Sequence, residues 1–183
     1  MDANRFKQGF TWDEYLKHLE ENLEELKKED EKAEEYVQAF HERFKRVLMS
    51  EEDIKFIAGI HSKVNVVALA EYWCSDAQAN LAVMARIAEL NPNIELRIFP
   101  RDANLDLMNQ YLFRGKSMSI PAFGFFDENF QEFGRWLGGK PKVMWDLIDE
   151  IGVDAAKPKV KEFNIKNRGQ ETFKEFIEIL RSV

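Results

Sequence analysis

The stretch VNVVALAEYWCSDAQANLAVMARIAEL, residues 64–90, decides how the rest of the chain is read. Val64–Ala70 is a short apolar run rich in β-branched residues and bounded by polar neighbours, the pattern of a strand buried on both faces. From Ser75 the pattern changes. Leu81, Met84, Ile87 and Ala88 recur at helical spacing, and the helix must end before Asn91-Pro92. A buried strand that feeds a helix through a short junction is the opening of an α/β sheet. Trp73-Cys74-Ser75-Asp76-Ala77 occupies that junction. There the free backbone N–H groups of the first helical turn point toward Cys74, and they and the helix dipole favour a thiolate. The thiol is therefore expected to ionise below its free value of ~8.5, with Glu71 and Asp76 working in the opposite direction.

Downstream, Ile94–Phe99 reads as a second strand and Asn104–Phe113 as a helix closed by Gly115 in the C-cap role. Pro121–Asp127 and Glu132–Leu137 read as two strands joined by the polar turn Asp127–Asn129. Lys142–Ile151 and Glu171–Arg181 are amphipathic helices, and the lysine-rich stretch Asp154–Gly169 reads as a solvated connection between them. The order from residue 64 is β-α-β-α-β-β-α. The first two strands, joined by a helical crossover, should be parallel, and the last two should form an antiparallel hairpin. An α/β fold with a mixed four-stranded sheet flanked by helices is what this order most readily builds.

Upstream, residues 11–49 read as helix. Thr11 and Glu14 have capping-box spacing, with Trp12 at the first helical position. Leu16, Leu19, Leu23, Leu26, Ala33, Val37, Phe40, Phe44 and Val47 follow at steps of three and four. A single rod would be roughly 55 Å long and leave an apolar stripe uncovered, so a helical hairpin turning near Lys28–Glu31 is expected. Ser50 can cap a further helix that begins with Glu51, Glu52 and Asp53 and ends around Gly59–Ser62. Residues 1–62 are thus expected to form a helical extension packed on a body of residues 63–183.

Composition bounds the function. The net charge is −7, and Thr11–Glu35 carries the whole excess, with 11 acids against 4 lysines. That balance argues against nucleic acid as the main partner. No apolar stretch approaches the ~20 residues of a membrane span. The single cysteine excludes a disulfide framework and any zinc site of paired cysteines. The N-terminus lacks the apolar segment of a secretory signal, so a cytoplasmic setting is expected.

EYWCSDA at the junction, RIFPRDANLDLMNQYL, SMSIPAFGFFDE and FGRW together resemble the thioredoxin superfamily. More narrowly, they resemble bacterial thioredoxin-like proteins with a helical N-terminal extension and a Trp-Cys-Gly-Asp-Cys motif. The likeness covers Val64–Ile151 well and the N-terminal helices loosely. It implies that Cys74 is the nucleophile and that Trp73 walls its groove. It also implies a cis bond at Pro121, after Ile120, where an extended substrate segment would be received beside Ser75, Asp76 and Ala77. The departure is Ala77, which stands where the family has its second, resolving cysteine.

A dithiol captures a substrate disulfide with one thiolate and releases it with the other. This chain cannot take the second step alone. Three readings follow: a monothiol protein resolved by a small thiol, a thioredoxin fold without catalysis, or a chain whose second cysteine was removed deliberately. The leading function is thiol–disulfide exchange through Cys74 on a protein disulfide or small-thiol substrate, with no organic cofactor or metal required. The alternative is a non-catalytic protein-binding module; a third is an iron–sulfur carrier with one cysteine per chain. His18, His41 and His61 give no support to a Cys-His pair. Arg101-Asp102 reads as a local salt bridge, Trp136 and Trp145 as packing, and Gly138-Gly139 as a turn.

Overall fold

Five helices precede the first strand in the computed structural model, which describes residues 1–183. A short α1 (Ala3–Phe6) is capped by the Asp2 carboxylate, which accepts from the Asn4 and Arg5 N–H groups. The chain then pairs with a sheet edge at Phe10, whose N–H and C=O exchange hydrogen bonds of 2.9 and 2.7 Å with Ile98. Sequence periodicity gave no sign of this bridge, which leaves less of the strand edge open.

The expected capping box is present. The Thr11 hydroxyl accepts from the Glu14 N–H, and the Glu14 carboxylate accepts from the Thr11 N–H, opening α2 (Trp12–Glu21). The helix breaks at Asn22, whose amide donates to the His18 carbonyl at 2.7 Å, and resumes as α3 (Leu23–Glu29). The turn into α4 (Ala33–Arg46) falls at Asp30–Lys32, where the Asp30 carboxylate accepts from the Lys32 N–H. The hairpin is therefore real, with one break more than the spacing suggested. Ser50 and Asp53 form a second capping box on α5 (Glu51–Ala58).

β1 (Val64–Ala70) is buried along its whole length. It is followed by α6 (Ser75–Leu90), β2 (Ile94–Pro100), a single-turn α7 (Leu105–Met108), β3 (Ala122–Phe126) and β4 (Glu132–Trp136). The sheet order is β2-β1-β3-β4. β1 and β2 are parallel, with Val64 beside Ile94, and the β1–β3 and β3–β4 pairs are antiparallel. Val64, Val66 and Ala68 face a core shared with Leu81, Met84 and Phe176, while Val67 and Leu69 face Phe6, Met108 and Tyr111. Asn65, the one polar residue of β1, is satisfied by donating to the Asp127 carbonyl at 2.8 Å.

The chain ends with α8 (Lys142–Ile151), α9 (Val153–Asn167) and α10 (Gln170–Leu180). Two expectations are corrected here. Asp154–Gly169 is not an open connection, because most of it is α9. That helix buries only Ala156 and carries Pro158 in its interior, so it has neither an apolar stripe nor an unbroken set of helical donors to announce it. The helix expected over Asn104–Phe113 stops at Met108. The chain turns inward there because the Tyr111 ring packs on Gly124, where an added Cβ would lie 2.5 Å from the tyrosine hydroxyl. Gly115 is not a C-cap; with Arg114 it makes a left-handed turn closed by a Phe113–Ser117 bridge.

Candidate functional site

Cys74 is the N-cap residue of α6, in extended backbone conformation, and its carbonyl accepts the first helical bond from the Gln78 N–H at 3.0 Å. β1 places it there: the strand ends at Ala70, and a tight turn closed by the Cys74 N–H donating to the Glu71 carbonyl delivers the thiol to the sheet's C-terminal edge. Across a shallow gap lies the start of β3. The Ile120–Pro121 bond is cis, and the Cys74 thiol donates to the Ile120 carbonyl at 3.6 Å. Residues 46 apart in sequence are thus brought into contact.

Ala77 is fully buried one turn along α6, whereas Ser75 is exposed and Asp76 is half-buried beside it. Trp73 is 42% exposed, and the Arg101 guanidinium lies over its ring at 5.4 Å while also donating to Asp102. The ion pair expected for Arg101-Asp102 is therefore present, and it holds a cation against the tryptophan that flanks the thiol. Ile120 and Pro121 are buried.

The thiol's ionisation departs from expectation. Burial pushes the Cys74 pKa up from its ordinary value, and the neighbouring Asp76 carboxylate adds to the rise. The N–H groups of Ala77 and Asp76 and the Lys140 ammonium pull the other way, yet no full capping hydrogen bond reaches the sulfur. The helix N-terminus acts in the anticipated direction and is outweighed by desolvation. Glu71, also buried, has a raised pKa for the same reason, offset in part by the Asp102 N–H that it accepts at 2.8 Å.

Sequence reading missed the support behind the thiol. Gly139, in left-handed conformation, packs so closely that a Cβ there would lie 2.2 Å from the Ile120 carbonyl oxygen. The Gly139 carbonyl accepts from the Asn80 amide at 3.0 Å, and the Asn80 carbonyl oxygen accepts from the Thr172 hydroxyl at 2.8 Å. Next to Gly139, Lys140 makes an ion pair with Asp76. The only available signal was the pair Gly138-Gly139, which reads as a turn and gives no hint of what the turn supports. His41 pairs with Glu20 and His18 stacks on Phe10.

A parallel β-α-β unit followed by an antiparallel hairpin, with a cysteine at the first helix's N-cap facing an Ile-Pro strand start, defines a thioredoxin-like protein, here with one thiol. A thioredoxin family model matches residues 9–155, and the chain belongs to that family. The match includes most of the N-terminal helices as well as the sheet. A crystal structure of a Pseudomonas aeruginosa protein of unknown function shares the fold, with a TM-score of 0.73 and 18% identity, over 100% of this chain and 98% of that one. An HIV epitope-scaffold is similar at a TM-score of 0.72 and 18% identity, over 100% and 99% of the two chains. A search of curated proteins finds no match.

Proposed function

We propose that this protein is a monothiol thiol–disulfide exchange protein acting through Cys74. The observation that supports it most is the placement of a half-buried, unpaired thiol at a helix N-cap within 3.6 Å of the Ile120 carbonyl, beside an exposed tryptophan. In this reading the Cys74 thiolate attacks one sulfur of a substrate disulfide. That S–S bond breaks, a mixed disulfide forms on Cys74, and the other sulfur leaves as a thiolate. An external thiolate then attacks the Cys74 sulfur, releases the first substrate sulfur and caps Cys74. A second external thiol attacks the cap, leaves as a small disulfide and restores the Cys74 thiolate. Two external thiols are oxidised for each substrate disulfide reduced, and no internal resolving group is needed.

The raised thiol pKa favours a second reading, a protein-binding module that uses the same groove without chemistry. Substitution at position 77 separates the two. In Ala77→Cys the new thiol stands one turn from Cys74 on the same helix and should close an internal disulfide near 2.05 Å. The variant should then reduce a protein disulfide catalytically with a dithiol reductant, whereas the unaltered chain should stop at a mixed disulfide until a small thiol is added. Adding Cys74→Ser to that variant should abolish the gain. A variant that closes its disulfide yet reduces nothing would establish the binding module instead.

A further inference from the structure

Behind the first turn of α6 lies a cleft of about 1040 Å³, walled by α4 on one side and α9 on the other and floored by Asn80, Gly139 and Thr172. Its size is at the upper end for small-molecule sites. Its charge is the reverse of the molecule's. Arg43, Arg46, Lys140, Lys157, Lys161 and Arg168 line it, and the carboxylates among its lining are those of Glu42 and Asp76. With Asp154 counted against Lys157, a surplus of three positive charges is gathered in one concavity of a chain whose net charge is −7. Arg46 is paired with Glu42, Lys140 with Asp76 and Lys157 with Asp154. Arg43, Lys161 and Arg168 meet no carboxylate. Arg43 is half-buried, and burial holds its pKa below the usual guanidinium range while Asp76 and Cys74 counter that effect.

The cleft adjoins the candidate site through shared structure. Ser75 and Asp76, the residues that follow Cys74, line its mouth, and Gly139 touches both its floor and the Ile120 carbonyl. Cations that lack carboxylates, with Arg43 half-buried and Lys161 and Arg168 exposed, gathered beside the helix turn that carries the thiol, are suited to recruit a negatively charged nucleophile. We propose that this cleft binds the carboxylates of a small anionic thiol and presents its sulfur to a Cys74 mixed disulfide. This inference rests on the monothiol reading and adds the class of its resolving thiol: small and carboxylate-bearing, in preference to neutral or cationic. Arg43 and Lys161 are positioning residues in the reaction.

The test uses the full chain with Cys74 capped as a mixed disulfide with 2-thiopyridine, a neutral group. Attack of an added thiolate on the Cys74 sulfur expels 2-thiopyridone, which is read by absorbance. Mercaptosuccinate, 2-mercaptoethanol and cysteamine are compared, each rate divided by that for the same thiol attacking identically capped free cysteine. The division removes differences in intrinsic nucleophilicity. Mercaptosuccinate should then exceed 2-mercaptoethanol by about tenfold, cysteamine should fall below both, and added salt should close the gap. Arg43→Gln should cut the advantage to about threefold or less, and so should Lys161→Gln, an exposed position where the fold is not at stake. Equal normalised rates in the unaltered chain, or an advantage that survives both substitutions together, would overturn the inference and leave monothiol exchange standing. Failure of Cys74 to form the mixed disulfide at all would remove the exchange reading and this inference with it.

Discussion

At the scale of single residues, the balance around Cys74 is a contest between a helix terminus and a desolvated pocket. Backbone N–H groups and Lys140 favour the thiolate, and burial with Asp76 favours the thiol and prevails. Alkylation by iodoacetamide should therefore rise with pH through a midpoint above that of an ordinary cysteine. Asp76→Asn removes the carboxylate that disfavours the thiolate and frees the Lys140 charge, so it should speed alkylation at pH 7.5 by about three- to tenfold. Lys140→Gln should slow it. The opposite order would show that the ion pair does not govern the sulfur. The same raised pKa bears on stability. The folded chain keeps the thiol proton to higher pH than the unfolded chain does. The stabilisation is therefore full below the ordinary thiol value and is lost as pH rises through the folded one. Melting temperatures of the unaltered chain should decline across that window more steeply than those of Cys74→Ser.

At the scale of elements, the loop before α8 does more for the site than its sequence suggests. Gly139 has positive φ and no room for a side chain against the Ile120 carbonyl, and its own carbonyl is held by Asn80. Gly139→Ala should cost about 2 kcal/mol or more in denaturant unfolding and should also change the Cys74 alkylation rate, because the methyl group displaces the backbone that faces the sulfur. A melt and a rate both equal to those of the unaltered chain would show that the loop gives way freely. The strands and α6 were legible in the sequence because their burial is strongly patterned: β1 is apolar but for Asn65, and α6 repeats Leu81, Met84 and Ile87. Thr11 and Ser50 announced their helices because a cap is a local interaction with a fixed spacing. What stayed hidden depends on distant partners. Tyr111 packs against Gly124 across the sheet just beyond the end of α7, and α9 buries only Ala156 and carries no regular apolar stripe. The positions of Cys74 and Pro121 could be read from motif and resemblance. The sign of the thiol's shift could not, since burial is a property of the assembled fold.

At the scale of the whole molecule, the N-terminal helices are part of the core that the sheet shares. Tyr15, Leu16, Leu19, Val37 and Phe40 are buried in the same cluster as Val66, Leu81 and Phe123. Phe40 packs edge-on to Tyr15 and Trp12, and Trp12 stacks on Phe44. Each of the five buried side chains contributes ~1.5–3 kcal/mol. Together they supply roughly 10 kcal/mol, comparable with the whole net stability of a typical domain, about 5–15 kcal/mol. The same helices carry most of the net negative charge on their outer surface, and through Arg43 and Arg46 they furnish one cationic wall of the cleft. Deleting residues 1–49 should therefore do more than shorten the chain. It would open the α6 face of the core and remove the Phe10–Ile98 bridge from the sheet edge. The remaining protein should lose its cooperative melt, bind a hydrophobic dye and aggregate at concentrations where the full chain stays dispersed. Substituting Phe40→Ala in the full chain is the graded form of the experiment. It should cost about 3–5 kcal/mol, as for a buried aromatic reduced to a methyl group, while leaving the chain folded enough to measure. If the truncated protein instead stays soluble and melts at the full chain's temperature, the hairpin is an independent appendage. The cleft would then lose its α4 wall without cost to the body, and the acidic helices would become the place to look for a protein partner.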